Sequence, residues 1–143
     1  MSAARISVLI LLAGIASAQK GRRDCLEYGP VEVRLDGRIE RQTFPGPPNY
    51  GSVTEGDKPD VQWILHLSNS VCVNEQHGDE INQAESGVLE IQLVLMHAGD
   101  WKRYSPLVGK SVQVKGTLFH GFNAHHQTAV LLQVGSIEAH TKK

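Results

Sequence analysis

The stretch that decides the fold runs from Gly109 to Val134 and reads GKSVQVKGTLFHGFNAHHQTAVLLQV. Two strand-like runs, 111–120 and 128–137, flank a segment rich in turn-forming residues, which predicts a β-hairpin. Successive side chains of a strand point to opposite faces, so every second residue of the hairpin should face the core. These predicted core residues are Val112, Val114, Leu118, Val130, Leu132 and Val134.

Three more strands are predicted before this hairpin. Residues 31–40, 61–67 and 88–95 alternate between apolar and polar side chains, and 71–73 continues the second run. Gly37 in the first run suggests a bulge or sharp bend. The side chains predicted to face inward are Val31, Val33, Leu35, Ile39, Val61, Trp63, Leu65, Leu67, Leu89, Ile91, Leu93 and Leu95, with Glu90 and Gln92 outward.

One short helix is predicted between the third and fourth strands. Asp100 is a good N-cap and Gly109 a natural C-terminal stop. The order of three strands, a helix and two strands predicts an all-β fold with one short helix, a small OB-fold-like five-stranded barrel. A β-sandwich is the competing architecture, but it does not explain a helix at that point.

The N-terminus predicts the cellular compartment. A basic start, an apolar run at 6–16 and the small residues Ala16-Ser17-Ala18 are typical of a signal peptide spanning 1–18 and cleaved after Ala18. A retained N-terminal anchor is the alternative. Residues 19–143 should then form a single OB-like β-barrel domain with no membrane span, located in the periplasm or outside the cell.

Two cysteines, Cys25 and Cys72, are present in a chain predicted to enter an oxidising compartment. An even number of cysteines in such a compartment favours a disulfide bond. A reactive or metal-bound thiol pair is the alternative. No C-x-x-C motif is present, so neither a zinc ribbon nor a thioredoxin-type site is predicted.

Charge and motifs narrow the function classes. The chain has 14 Lys and Arg against 15 Asp and Glu, so it lacks the basic excess that drives nucleic-acid binding. No G-x-S-x-G, H-E-x-x-H or P-loop motif occurs, and we therefore predict that the protein is not an enzyme.

Residues 44–60 form a predicted loop with four prolines and three glycines. Its residues Phe44, Asn49 and Tyr50 are the candidate ligand-binding residues, because rigid loops with aromatic side chains are common binding surfaces. In the alternative interpretation, Phe44 and Tyr50 fold back and cap the core.

Three histidines, His120, His125 and His126, lie in the turn of the last hairpin. Imidazole suits zinc and copper, so these residues are a candidate metal site. Two observations weaken it: adjacent strand residues point to opposite faces, and no Cys, Asp or Glu lies within 120–128. Hydrogen bonding to the turn backbone, solvent exposure and partner recognition are the alternatives.

Several blocks of the chain resemble the bacterial secreted family called domain of unknown function 4431. They are CLEYGPVEVRLDGRI (25–39), FPGPPNYGSVTEGD (44–57), WILHL (63–67), VCV (71–73), EIQLVL (90–95), YSPLVGKSVQVKGTLF (104–119) and HHQTAVLL (125–132). The last block is similar to the family's His-rich turn and Thr-Pro-Val-Leu-Leu signature, but has Gln127 and Ala129 where the family tends to have His and Pro. The resemblance covers nearly all of 19–143. It implies a secreted, disulfide-containing, OB-like domain and no particular activity.

The sequence therefore predicts a non-catalytic binding module without a cofactor. Its partner would be a protein, peptide or glycan, bound by the 44–50 segment and a face of the barrel. The alternative is a protein that binds zinc or copper through the three histidines of the last hairpin.

Overall fold

The computed structural model of the protein describes residues 24–140, in which five strands close into a ring. The predicted signal peptide and its cleavage point lie outside the described residues. Short 3-10 turns lie at Val53–Glu55 and Ser105–Leu107. The strands are β1 Glu32–Pro45, β2 Pro59–Val73, β3 Glu85–Val94, β4 Ser111–His120 and β5 Val130–Ala139, and helix α1 is Asp100–Tyr104.

The order of strands around the ring is that of an OB-fold. β1 pairs antiparallel with β2 and β4, β2 with β3, and β4 with β5. A short parallel contact between β3 and β5 closes the ring, and α1 lies between β3 and β4 in the chain. The prediction of an all-β, OB-fold-like structure with one short helix is confirmed, and the ring replaces the competing two-sheet arrangement.

The inside of the ring holds the hydrophobic core. All six core residues predicted in the last hairpin are buried, which confirms the alternation read from the 109–134 stretch. Tyr104 of α1 joins the same cluster, so the helix contributes to the core. Other fully buried members are Ile39, Leu65, Ile91 and Leu93.

Four side chains differ from the predicted alternation. Val31, Val61 and Leu89 were expected to face inward but are about half exposed, at 52%, 48% and 53%. Val31 precedes β1, and Leu89 lies at a register shift between β2 and β3, beyond the part of β3 that pairs with β5. Gln92 was expected to be solvated but is only 3% exposed, because residues of the β4–β5 loop hydrogen-bond to it.

Two glycines allow neighbouring strands to approach closely. A Cβ on Gly37 would overlap the carbonyl oxygen of His66, and one on Gly116 would overlap that of Gln133. No register shift occurs at Gly37, so of the predicted bulge or sharp bend the bulge is absent, and the glycine allows close approach where β1 passes from pairing with β4 to pairing with β2. The shift in β4 lies instead between Lys115 and Gly116.

Replacing Gly116 with alanine should lower the free energy of unfolding by about 2–3 kcal/mol, since overlap with a backbone atom is not relieved by side-chain rotation. Gly135→Ala is the matched control, because a Cβ there would lie 3.5 Å from the carbonyl oxygen of Lys115. Chemical denaturation of both variants measures the difference. Equal denaturation midpoints would contradict the close-approach explanation.

The helix differs from prediction at its first residue. Gly99 is the N-cap and Asp100 is the first helical residue, so the predicted capping role of Asp100 is wrong by one position. The Asp100 carboxylate instead accepts a hydrogen bond from the backbone N–H of His97. Gly109 adopts a left-handed φ of 80° after the second 3-10 turn.

Within residues 24–140 no helix is long and apolar enough to cross a membrane.

The predicted disulfide between Cys25 and Cys72 is confirmed. It attaches the start of the described chain to the end of β2. Beside it, the backbone N–H of Leu26 donates to the Cys72 carbonyl at 2.7 Å, and the N–H of Asn74 donates to the Leu26 carbonyl at 2.8 Å. The segment before β1 is therefore held by both covalent and backbone contacts.

Candidate functional site

Loop 46–58, between β1 and β2, meets loop 121–129, between β4 and β5. The hydroxyl oxygen of Tyr50 lies 3.1 Å from Nε2 of His125, and the two rings meet edge to face with centroids 5.3 Å apart. His125 Nδ1 lies 3.2 Å from Oδ2 of Asp60 at the start of β2. We call Tyr50, Asp60 and His125 the loop junction.

The loop junction has a self-consistent order of hydrogen bonds. When Nδ1–H of neutral His125 donates to Asp60, Nε2 can accept from the Tyr50 hydroxyl. Gln62 Nε2 donates to the other Asp60 oxygen at 2.7 Å, which fixes the carboxylate. The His125 side chain is 55% exposed, so a ligand can reach it. The junction thus offers oriented polar groups and an aromatic ring at the surface.

Asp57 organises the loop that carries Tyr50. Its Oδ1 accepts from the backbone N–H of Asn49 at 2.9 Å, and its Oδ2 accepts from those of Gly51 at 2.7 Å and Ser52 at 2.9 Å. The Asn49 side chain also donates to Asp57. Tyr50, between these anchors, adopts a left-handed φ of 56°. Asn49, a predicted ligand-binding residue, therefore contributes to the shape of the loop.

The same contacts predict how this loop responds to pH. Hydrogen bonds from Ser52, Asn49 and Gly51 lower the pKa of Asp57 below its ordinary 3.8, against the opposing effect of burial. Because the folded pKa is depressed, the stabilisation is complete above the unfolded pKa and is lost as pH falls through the folded value. We expect the Gly51 and Ser52 amide resonances to titrate with a midpoint below 3.8. Asp57→Asn should abolish that titration, and a midpoint above 3.8 in the unmodified protein would contradict this role.

Gln92 of β3 anchors the second loop. Its Nε2 donates to the His125 carbonyl at 3.0 Å, and its Oε1 accepts from the backbone N–H of Gln127 at 2.6 Å. Its own backbone N–H donates to Oγ1 of Thr128 at 2.9 Å. Gln92 thus fixes the loop that presents His125. The sequence pattern missed this role because alternation gives the direction of a side chain and not what covers it.

His120 has different partners from those of His125. Its Nε2 lies 2.9 Å from Glu85 Oε1, and its Nδ1 lies 3.0 Å from the Gly121 carbonyl oxygen. Burial acts to lower the pKa of His120, but the Glu85 hydrogen bond, the Gly121 carbonyl and the Glu85 charge together raise it. Both ring nitrogens face acceptors, an arrangement that suits the imidazolium form.

His126 lies inside its own loop. Its Nδ1 accepts from the backbone N–H of Phe122 at 3.0 Å, and its ring packs edge to face against Phe122, with centroids 4.5 Å apart. Phe119 contacts the same ring at 5.5 Å. Burial, and then the charge of His125, lower the pKa of His126. This histidine therefore stabilises the loop.

The three histidines proposed as metal ligands are thus engaged with separate partners. Across residues 24–140, no group of three or more His, Cys, Asp or Glu side chains is arranged to hold a metal ion. The geometry does not favour the zinc or copper alternative. Of these histidines, only His125 joins another predicted site residue, Tyr50.

Residues 90–138 match the model of a family described as a domain of unknown function, DUF4431. This match covers 49 of the 143 residues and supports the DUF4431 family for this part of the chain. The match is narrower than the resemblance read from the sequence, which extended over nearly all of 19–143. No curated protein significantly matches the chain.

The loop junction extends across the boundary of the DUF4431 segment. His125 and its anchor Gln92 lie within the segment, whereas Tyr50 and Asp60 precede it. Phe44, the remaining predicted binding residue, lies in β1 opposite Asp60 and is half-buried, so it is part of the sheet rather than of the loop.

A second surface feature lies at α1 within the DUF4431 segment. Trp101 is 40% exposed and contacts Trp63 edge to face, with centroids 4.9 Å apart. The guanidinium of Arg41 lies 5.9 Å from the centroid of the Trp63 ring. Together with Val61, these residues line a hollow of about 330 Å³. The sequence pattern gave no sign of this exposed aromatic residue.

Proposed function

We propose that this protein is a non-catalytic binding module that acts in the periplasm or outside the cell. Its ligand surface is the loop junction and the adjoining outer face of β1 and β2. The observation that carries the proposal is the contact between Tyr50 and His125, which fixes two long loops side by side. OB-folds bind oligomeric ligands with the face of their second and third strands and with these two loops, an analogy at the level of the fold.

The outer face beside the loop junction is polar. Gln42 Nε2 lies 3.1 Å from Nε2 of His66, and Glu40 and Glu90 lie 3.4 Å and 3.2 Å from that ring. Amides, imidazoles and carboxylates suit a ligand with many hydrogen-bonding groups, such as a protein, peptide or glycan. The acidic side chains and the net charge of −1 support the exclusion of nucleic acid.

Two features support a location outside the cytoplasm. The Cys25–Cys72 disulfide suits an oxidising compartment. The first 18 residues have the composition of a signal peptide, as the sequence predicts. Immunodetection of the protein in cell fractions, with N-terminal sequencing of the mature form, tests this part of the proposal.

A ligand screen tests the binding proposal. Residues 19–143 would be applied to a glycan array and to a displayed library of linear peptides. We expect His125→Ala to weaken binding of the selected ligand about 10-fold, the equivalent of about one hydrogen bond and its ring contact. Tyr50→Phe, which keeps the ring and removes the hydroxyl, should have a smaller effect. Binding is measured by calorimetry.

The matched control is His97→Ala, since the His97 side chain is 83% exposed and lies between β3 and α1. This variant should bind as the unmodified protein does. Thermal melting would verify that all variants remain folded. Failure of both libraries to yield a ligand, or equal loss of affinity in His97→Ala and His125→Ala, would contradict the proposal.

A further inference from the structure

One edge of β3 is open to solvent. Only three residue pairs join β3 to β5, from Gln92–Leu131 to Val94–Gln133. Within residues 85–90 of β3, only Glu85, Val88 and Glu90 pair with β2, across two register shifts, and the other side of the strand faces a groove. Residues 127–130 form the opposite wall of this groove, which has a volume of about 680 Å³. We call it the β3 edge groove.

The backbone of Glu90 points into the β3 edge groove. The N–H of Gln92 points toward β5, because it donates to Oγ1 of Thr128. β3 keeps a regular register with β2 from Leu93 to Glu90. Backbone groups alternate sides along a strand, so the N–H and C=O of Glu90 lie on the same side as those of Gln92. An added strand would hydrogen-bond to these groups.

We propose that the β3 edge groove binds an extended, positively charged peptide segment as an added strand. This inference rests on the proposed binding function and deepens it by naming the partner class. The residues that line the groove include the carboxylate of Glu90 and no lysine or arginine, and the second carboxylate, that of Glu85, is paired with His120. The Glu90 side chain is 52% exposed and accessible to a cationic side chain. Leu89, also half exposed, supplies apolar surface beside it.

A second copy of this chain fits the groove less well than a basic peptide. Antiparallel pairing of two β3 edges about a two-fold axis places one residue opposite its own copy. Pairing centred on Glu90 would place that residue opposite its own copy. Like charges directly opposite one another destabilise a strand pair, whereas lysine or arginine opposite Glu90 would stabilise it.

Two substitutions at Glu90 separate the contribution of its charge to peptide binding from the contribution of its backbone N–H. Glu90→Ala removes the carboxylate and keeps the N–H, and Glu90→Pro removes both. The probe is the linear peptide library applied to residues 19–143, followed by calorimetry with the enriched peptides. We expect enriched peptides to carry lysine or arginine alternating with apolar residues. Binding should weaken about 3-fold in Glu90→Ala and at least about 10-fold further in Glu90→Pro.

The outcomes distinguish this inference from the function on which it rests. Peptides lost in His125→Ala but bound equally by Glu90→Ala and Glu90→Pro would overturn the strand-addition site and leave the binding module standing. Selection of glycans and of no peptide would also overturn the strand-addition site and leave the binding module standing. Failure of every library would overturn both. Light scattering tests the second copy: a dimer that Glu90→Pro dissociates, without peptide binding, would overturn the inference. Thermal melting verifies that Glu90→Pro is folded.

Discussion

Removing the Cys25–Cys72 disulfide should lower the free energy of unfolding by about 4 kcal/mol, which makes it the largest single effect that we predict. The two cysteines are separated by 47 positions, and cross-linking them restricts the unfolded chain. The double variant Cys25→Ala, Cys72→Ala would be compared with the unmodified protein by urea denaturation. Unmodified protein denatured with a reducing agent is the matched control, because it loses the same cross-link without a change of side chain.

The local contacts predict where the disulfide variant loosens first. Without the cross-link, Leu26 is held beside Val73 by an isolated bridge and two backbone hydrogen bonds. Amide exchange in the segment before β1 should therefore accelerate more than exchange in the ladder between β1 and β2. A change in unfolding free energy below about 1 kcal/mol would show that the cross-link restricts little of the unfolded ensemble.

Replacing Gln92 with methionine should lower the free energy of unfolding by about 2–4 kcal/mol. Methionine has a similar length but leaves the backbone N–H of Gln127 and the carbonyl of His125 without their present partner, each at a cost of about 1–3 kcal/mol. The five-stranded sheet should remain folded, since the Gln92 side chain points away from the hydrophobic core. Ligand affinity at the loop junction should also fall, because His125 would no longer be held in place.

The matched control for Gln92 is Gln113→Met in β4. Gln113 donates a single exposed hydrogen bond to Asp36, at 3.2 Å. Its replacement should change stability by less than about 0.5 kcal/mol, as most surface substitutions do. Equal destabilisation by the two substitutions, measured by urea denaturation, would contradict the anchoring role assigned to Gln92.

The fold was predictable because its main signal is local. Alternation within single strands identified all five strands, and the position of one helix selected the OB-like order. The predictions failed where neighbours determine exposure. Leu89 faces solvent where the β2–β3 ladder shifts register and β5 does not extend beside it, and Gln92 is buried because a loop distant in sequence covers it.

The loop junction was only partly predictable, because its members are far apart in the chain. Tyr50 and His125 are separated by 75 positions, and Asp60 and His125 by 65. Tyr50 and His125 were each singled out, for composition and for proximity to other histidines, but nothing in one sequence pairs them. Asp60 was missed, since a lone aspartate at the end of a loop carries no signal of its own. The three histidines predicted as one metal site do not form one, because His120, His125 and His126 each have different partners.

The most direct test of the binding surface is backbone hydrogen exchange of the protein with and without its tightest ligand from the two libraries. We predict slower exchange in loops 46–58 and 121–129, which the contact between Tyr50 and His125 holds together. Slower exchange confined to the β2–β3 loop at 74–84, with both of those loops unchanged, would contradict the assignment of the loop junction as the ligand surface.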